Sequence, residues 1–156
     1  MGHSMQFLLT ASLLASAGLS FAADLPYDER ADAKAQIKTA VAQAGQLKVP
    51  VLVVFGANWC ADCRLLDTAF KTGSSAPLID KNFIIVKVDV GRFDKNVDVA
   101  DRYGVPLKKG IPAVAVLSPD GFVIYSTKGG ELADARKMGE TGIHDFFVKV
   151  AATTRK

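Results

Sequence analysis

The chain has 156 residues, 49% of them hydrophobic and 22% charged, with a net charge of +3. That length suits one domain with a proper core and falls short of what two ordinary domains need, and the composition excludes a disordered chain. Lys108-Lys109 is the longest basic cluster, so the basic stripe with recognition features that nucleic-acid binding requires is absent.

Residues 1–4, MGHS, read as an expression remnant, with Met5 as the natural initiator. Residues 5–22 read as a secretory signal peptide: no Lys, Arg, Asp or Glu precedes Asp24, the run Phe7 to Leu19 is apolar, and Ser20-Phe21-Ala22 is a small-x-small cleavage pattern. An uncleaved anchor and an apolar helix of the fold are the alternatives, and the lack of a basic residue ahead of the run weighs against a leader. The run is slightly short for a bilayer span of about 20 residues. The expectation is a periplasmic or secreted protein, not membrane-embedded once mature, with a single domain over 24–156.

From Asp24 onward the pattern is α/β. Ile37, Ala40, Val41 and Ala44 recur at helical spacing, which predicts an amphipathic helix from Ala31 ending near Gly45. Pro50 introduces Val51 to Phe55, a β-branched run apolar on both faces that suits a central strand. A helix follows over roughly Cys60 to Lys71, with Cys63, Leu66 and Phe70 on one face and Gly73-Ser74-Ser75 as its stop. Phe83 to Asp89 predicts a second strand, parallel to the first because a helical crossover joins them. Gly91 to Asn96 is a loop and Val97 to Tyr103 a short helix. A third strand runs from Pro112 to Leu117, turns at Ser118-Pro119-Asp120-Gly121, and returns antiparallel over Phe122 to Ser126. Glu131 to Met138 reads as a polar helix, and Thr141 as the N-cap of a last helix whose buried stripe is Ile143, Phe146, Phe147 and Val150.

With those elements in order, Trp59-Cys60-Ala61-Asp62-Cys63 directly after a strand and Gly110-Ile111-Pro112 directly before one make the chain resemble the thioredoxin family over about Lys34 to Val150. The phrase Phe55-Gly56-Ala57-Asn58-Trp59-Cys60 with Cys63-Arg64 is most similar to exported thioredoxin-like disulfide isomerases and to the thiol-reducing C-terminal domain of DsbD. The resemblance implies a thioredoxin fold, a central mixed sheet of about four strands flanked by helices on both faces. It also implies a cis Ile111-Pro112 bond facing the cysteines, a chain at Ile111 and Pro112 that binds extended substrate by strand addition, and Trp59 partly covering the site. The bland readings are a proline tolerated at a strand start and an ordinary buried tryptophan.

The chemistry follows from where the cysteines fall. The first turn of a helix has N–H groups without intrahelical partners and a partial positive charge, which stabilise a thiolate at Cys60. Cys60 is therefore the expected nucleophile toward a substrate disulfide, and Cys63, one turn on and within disulfide reach, the resolving thiol. A plain stabilising disulfide is a poor alternative, because closing so short a loop gives only about 2 kcal/mol against about 3 for a 15-residue one. A zinc site is short of ligands, since the chain after residue 22 offers two Cys and His144. No metal or other cofactor is expected. The partners expected are protein or peptide thiols and disulfides, and a redox protein that recycles the pair. A redox-inert thioredoxin-like binding or metal-delivery module is the competing class.

Ala61 and Asp62 lie between the cysteines as tuning positions. A carboxylate about 6 Å from the Cys60 sulfur would oppose the thiolate by about 0.7 kcal/mol in water and about 3 at an effective dielectric of 20. That would raise the thiol pKa by about half to two units and favour a reducing or isomerase-like poise. Thioredoxins also carry a buried acid six positions before the first Cys and a lysine on the adjacent strand; the matching positions here read as Val54 and Ile85. Lys87 and Asp89, on the same strand face as Ile85, are candidate substitutes, with a solvated or structural ion pair as the simpler reading.

Overall fold

The computed structural model describes residues 24–155. The remnant at 1–4 and the leader expected at 5–22 lie outside the described residues. A first helix, α1 (Ala33–Leu47), starts at Asp32, whose carboxylate accepts from the Ala35 amide at 3.0 Å. It passes through Gly45 and ends instead at Lys48, which sits in the left-handed region at φ 58. β1 (Val51–Gly56) is buried on both faces along its whole length. α2 (Ala61–Thr72) follows, capped by Cys60.

The sequence does not predict α3 (Ser75–Asn82), which fills the crossover between α2 and β2 (Ile84–Asp89). Its eight residues begin Ser-Ala-Pro, a loop-like composition, yet a proline in the first turn costs no intrahelical hydrogen bond. Beyond α4 (Val97–Arg102) and a 3-10 turn at Leu107–Lys109 come β3 (Ala113–Leu117) and β4 (Val123–Ser126). The last helix, α5 (Ala135–Thr154), is broken at Gly139, where φ 66 and ψ −179 are not helical. Two expectations change there. Glu131 to Asp134 form turns rather than helix, and the helix resumes after Gly139, so Thr141 lies inside it rather than capping it.

The sheet is mixed, in the order β2-β1-β3-β4, with β2 parallel to β1 and the other neighbours antiparallel. Alternate residues of β1 feed two cores. Val51, Val53 and Phe55 pack with Ile37, Ala40 and Ala44 of α1 and with Val99 of α4. Leu52 and Val54 pack with Leu66 and Phe70 of α2, Ile79 of α3, and Ile143, Phe147 and Val150 of α5. Helices thus cover both faces, as expected, and each fully buried aliphatic side chain contributes about 1.5–3 kcal/mol of transfer free energy. Among the described residues no helix is long and apolar enough to cross a membrane.

Candidate active site

The central strand β1 ends at Gly56, and four residues later the chain enters α2 with Cys60 as its cap. Cys60 has extended backbone (φ −80, ψ 112), and its Sγ accepts the Cys63 amide at 3.2 Å. The two cysteines form a disulfide, with Cα atoms 5.2 Å apart. Cys60 is 6% exposed and Cys63 1%, so the first sulfur is the one a partner can reach. Ala61, the first residue of α2, is half-buried.

Opposite the pair, the Ile111–Pro112 peptide bond is cis. The Ile111 carbonyl oxygen lies 3.7 Å from Cys60 Sγ. Trp59 is 45% exposed, so it is not an ordinary core aromatic. Its Nε1 donates to the Gly91 carbonyl at 2.8 Å, its ring meets Phe93 edge to face at 6.1 Å, and the Arg92 guanidinium sits 5.2 Å from its centroid. Beyond Phe93 a mostly apolar cavity of about 350 Å³ is lined by Phe93, Val97, Leu107, Lys108 and Gly110.

Asp62 does not stand as a free charge beside the thiol. Its Oδ1 accepts from the Arg136 amide at 2.9 Å and from Arg136 Nε at 3.1 Å. Burial pulls its carboxyl upward, but the Arg136 amide and guanidinium outweigh this and hold it below the usual carboxylate range. This link is complete above the ordinary carboxylate pKa and is lost only as pH falls through the depressed value. The expectation that Asp62 raises the Cys60 pKa by about half to two units is therefore reduced, because a cation offsets the anion. Asp62→Asn is expected to move the Cys60 thiolate titration by less than about half a unit; a fall of a full unit, read by alkylation rate against pH, would restore the direct effect.

The strand register also corrects the match to thioredoxin. Val54 stands opposite Lys87, not Ile85, so a lysine does occupy the adjacent strand. Its Nζ is paired with Asp67 of α2, which also holds Lys71 at 2.9 Å. The acid has moved from strand to helix. Asp89, buried at the end of β2, reaches Lys95 at 3.6 Å rather than Lys87.

The segment after β4 has a role that its composition does not reveal. Glu131 accepts from the amides of Lys128 and Gly129 at 3.1 and 2.9 Å and so ties a tight loop. Leu132 and Ala135 are fully buried, and Arg136 holds Asp62. A side chain at Gly110 would come within 2.6 Å of Ala133 Cβ, so this segment abuts the chain leading into Ile111. It therefore braces both the cysteine helix and the proline loop.

Two residues absent from the sequence-based expectations also belong to the site. Asn58 accepts from the Tyr27 amide at 2.9 Å and donates to the Tyr27 carbonyl at 2.8 Å, which pins the segment before α1 under the cysteines. No periodicity or motif marks Tyr27. Among the described residues no group of three or more His, Cys, Asp and Glu side chains gathers as a metal site.

A thioredoxin-like family model matches residues 32–119. The crystal structure of a disulphide isomerase from Xylella fastidiosa Temecula1 is 53% identical, with a TM-score of 0.79, covering 83% of this chain and 98% of that one. The C-terminal domain of DsbD from Neisseria meningitidis in its reduced form is 21% identical, with a TM-score of 0.50 over 74% of this chain and 95% of that one. A thioredoxin from Nicotiana alata is 19% identical, with a TM-score of 0.51 over 81% and 89%. At those lower identities the likeness is one of fold. The chain matches no curated protein.

Proposed function

The chain belongs to the thioredoxin-like family, and from that premise we propose that it is a thiol–disulfide oxidoreductase acting on protein disulfides, with reductase or isomerase poise, in the periplasm. The observation that carries this reading is the Cys60–Cys63 disulfide at the start of α2, with the Ile111 carbonyl oxygen 3.7 Å from Cys60 Sγ across from it. In the dithiol form, the Cys60 thiolate is favoured by the unpaired amides of the first turn of α2. It attacks a substrate sulfur, which forms a mixed disulfide and releases the other substrate sulfur as a thiolate. Cys63 then attacks Cys60 Sγ, which closes the pair and frees the reduced substrate. If Cys63 is slow, the mixed disulfide lasts long enough for a substrate thiol to attack it and exchange one pairing for another.

Around this chemistry, Ile111 and Pro112 supply backbone for an extended substrate, and Trp59 with Phe93 flanks the entry. The dithiol must be restored by a redox partner protein, and a periplasmic setting agrees with the export-type start and the disulfide isomerase likeness. The test is catalysed reduction of a protein disulfide by a small thiol, together with reactivation of a protein carrying scrambled disulfides. Acceleration of both is expected. No acceleration of either would leave a redox-inert module.

A further inference from the structure

Beneath the cysteines, in the core that also holds Phe55, Cys60 and Cys63, lies a buried polar group that the reaction as described leaves without a task. Tyr27 is 3% exposed. It approaches Gly56, the last residue of β1, where only a glycine leaves room for the phenol. A Cβ at Gly56 would run into Tyr27 Oη and lie 3.0 Å from Cys63 Sγ. The phenol oxygen and the Cys63 sulfur therefore border the same small space. The main chain of Tyr27 is fixed by Asn58 two residues before Cys60, so its ring is set by the same turn that sets the cysteines.

We propose that Tyr27 is a positioning residue of the redox site, whose hydroxyl donates a hydrogen bond to Cys63 Sγ in the dithiol and so favours the thiolate that resolves the mixed disulfide. This rests on the oxidoreductase reading. Cys63 needs such a donor. Its burial disfavours the thiolate, and the charges nearest this space include the carboxylates of Asp67 and Asp89. The cations facing the same region are already engaged: Lys71 and Lys87 hold Asp67, and Lys95 reaches Asp89. Burial, followed by the charges of Asp67 and Asp89, keeps the Tyr27 phenol protonated far above its ordinary range, so it acts as a donor and not as a base.

In the step itself, the proton of Cys63 leaves to water. The Cys63 thiolate attacks Cys60 Sγ of the mixed disulfide, the Cys60–Cys63 bond forms, and the Cys60–substrate bond breaks. The substrate sulfur departs as a thiolate with the electron pair. The substrate is thereby reduced by two electrons and the dithiol oxidised by two, while Tyr27 keeps its proton throughout.

Tyr27→Phe keeps the ring and removes the donor. In a Cys60→Ser background, the titration of Cys63, followed by alkylation rate against pH, is expected to move up by about one unit. In the two-cysteine protein at pH 7, closure of a preformed Cys60 mixed disulfide should slow about threefold, because a roughly tenfold smaller thiolate fraction is partly offset by the higher nucleophilicity of the less acidic thiol. The first attack, read in a Cys63→Ser background, should stay unchanged. An unaltered Cys63 titration and closure rate would overturn the proposal and leave Tyr27 as packing, and equal slowing of both steps would overturn it too. If the parent protein forms no mixed disulfide, the oxidoreductase reading is what fails, and the Cys63 titration still decides the role of Tyr27.

Discussion

Cys60→Ser is expected to remove protein-disulfide reduction by at least about a thousandfold, because the hydroxyl that replaces the thiol does not form a thiolate or exchange with a disulfide. Cys63→Ser should behave differently. The nucleophile and the capping turn are kept, since it is the Cys63 amide, not its sulfur, that donates to Cys60 Sγ. The first attack proceeds, and the enzyme stops as a covalent adduct to substrate that mass spectrometry detects and added thiol releases. The asymmetry is the informative part. Cys60 is the more exposed cysteine and faces Ile111, whereas Cys63 points into the core with Phe55 and Ala57. If Cys63→Ser abolished adduct formation while Cys60→Ser accumulated it, the roles would be reversed.

The second large effect is expected some seventy residues away, at Gly130. Its φ of +80 is one that L side chains adopt only at a cost of about 1–2 kcal/mol. A Cβ there would also run into the carbonyl oxygen of Lys109 and lie 3.3 Å from its carbonyl carbon. The atoms it meets are main chain, so no rotamer relieves the contact. Gly130→Ala is therefore expected to cost more than the conformational term alone, about 2–3 kcal/mol, and to lower Tm by about 8–12 °C. The chain it displaces continues through Gly110 into Ile111 and Pro112. Activity should fall further than stability explains, by about 10- to 100-fold at a temperature where the variant is fully folded, because small displacements of a positioning element are costly. Thermal unfolding and turnover measured on the same sample separate the two effects; unchanged turnover with a lowered Tm would detach this loop from substrate binding.

How much of this was legible in the sequence depends on how local each feature is. β1, the cysteine helix and the β3–β4 hairpin are written in adjacent residues: β-branched runs, a helical stripe at Cys63, Leu66 and Phe70, and the Ser118–Gly121 turn. The cysteine site is legible for the same reason, since one turn of helix sets it. Contacts across long sequence separations leave no periodic trace. Arg136 finds Asp62 over 74 positions, and Tyr27 meets Asn58 over 31, so neither the cation that offsets Asp62 nor the anchoring of Tyr27 is written in adjacent residues. Short elements failed for another reason. α3 is too brief for its stripe to outweigh a Ser-Ala-Pro start, and the break at Gly139 splits a pattern that reads as two separate helices. The residue facing Val54 lies two positions beyond the Ile85 that sequence spacing suggests, because register depends on where β1 and β2 meet. Once Val54 pairs with Lys87, Lys87 and its acid partner Asp67 become one structural ion pair beneath the site.

The direction in which the pair exchanges electrons is set by its reduction potential against that of its partners, and equilibration with glutathione buffers of known poise measures that potential directly. A value between about −180 and −270 mV, the span from protein disulfide isomerase to thioredoxin, is expected. A value near about −120 mV would make the protein an oxidant, and a pair that fails to exchange, with a potential below about −300 mV, would make the Cys60–Cys63 bond structural; either result contradicts the account.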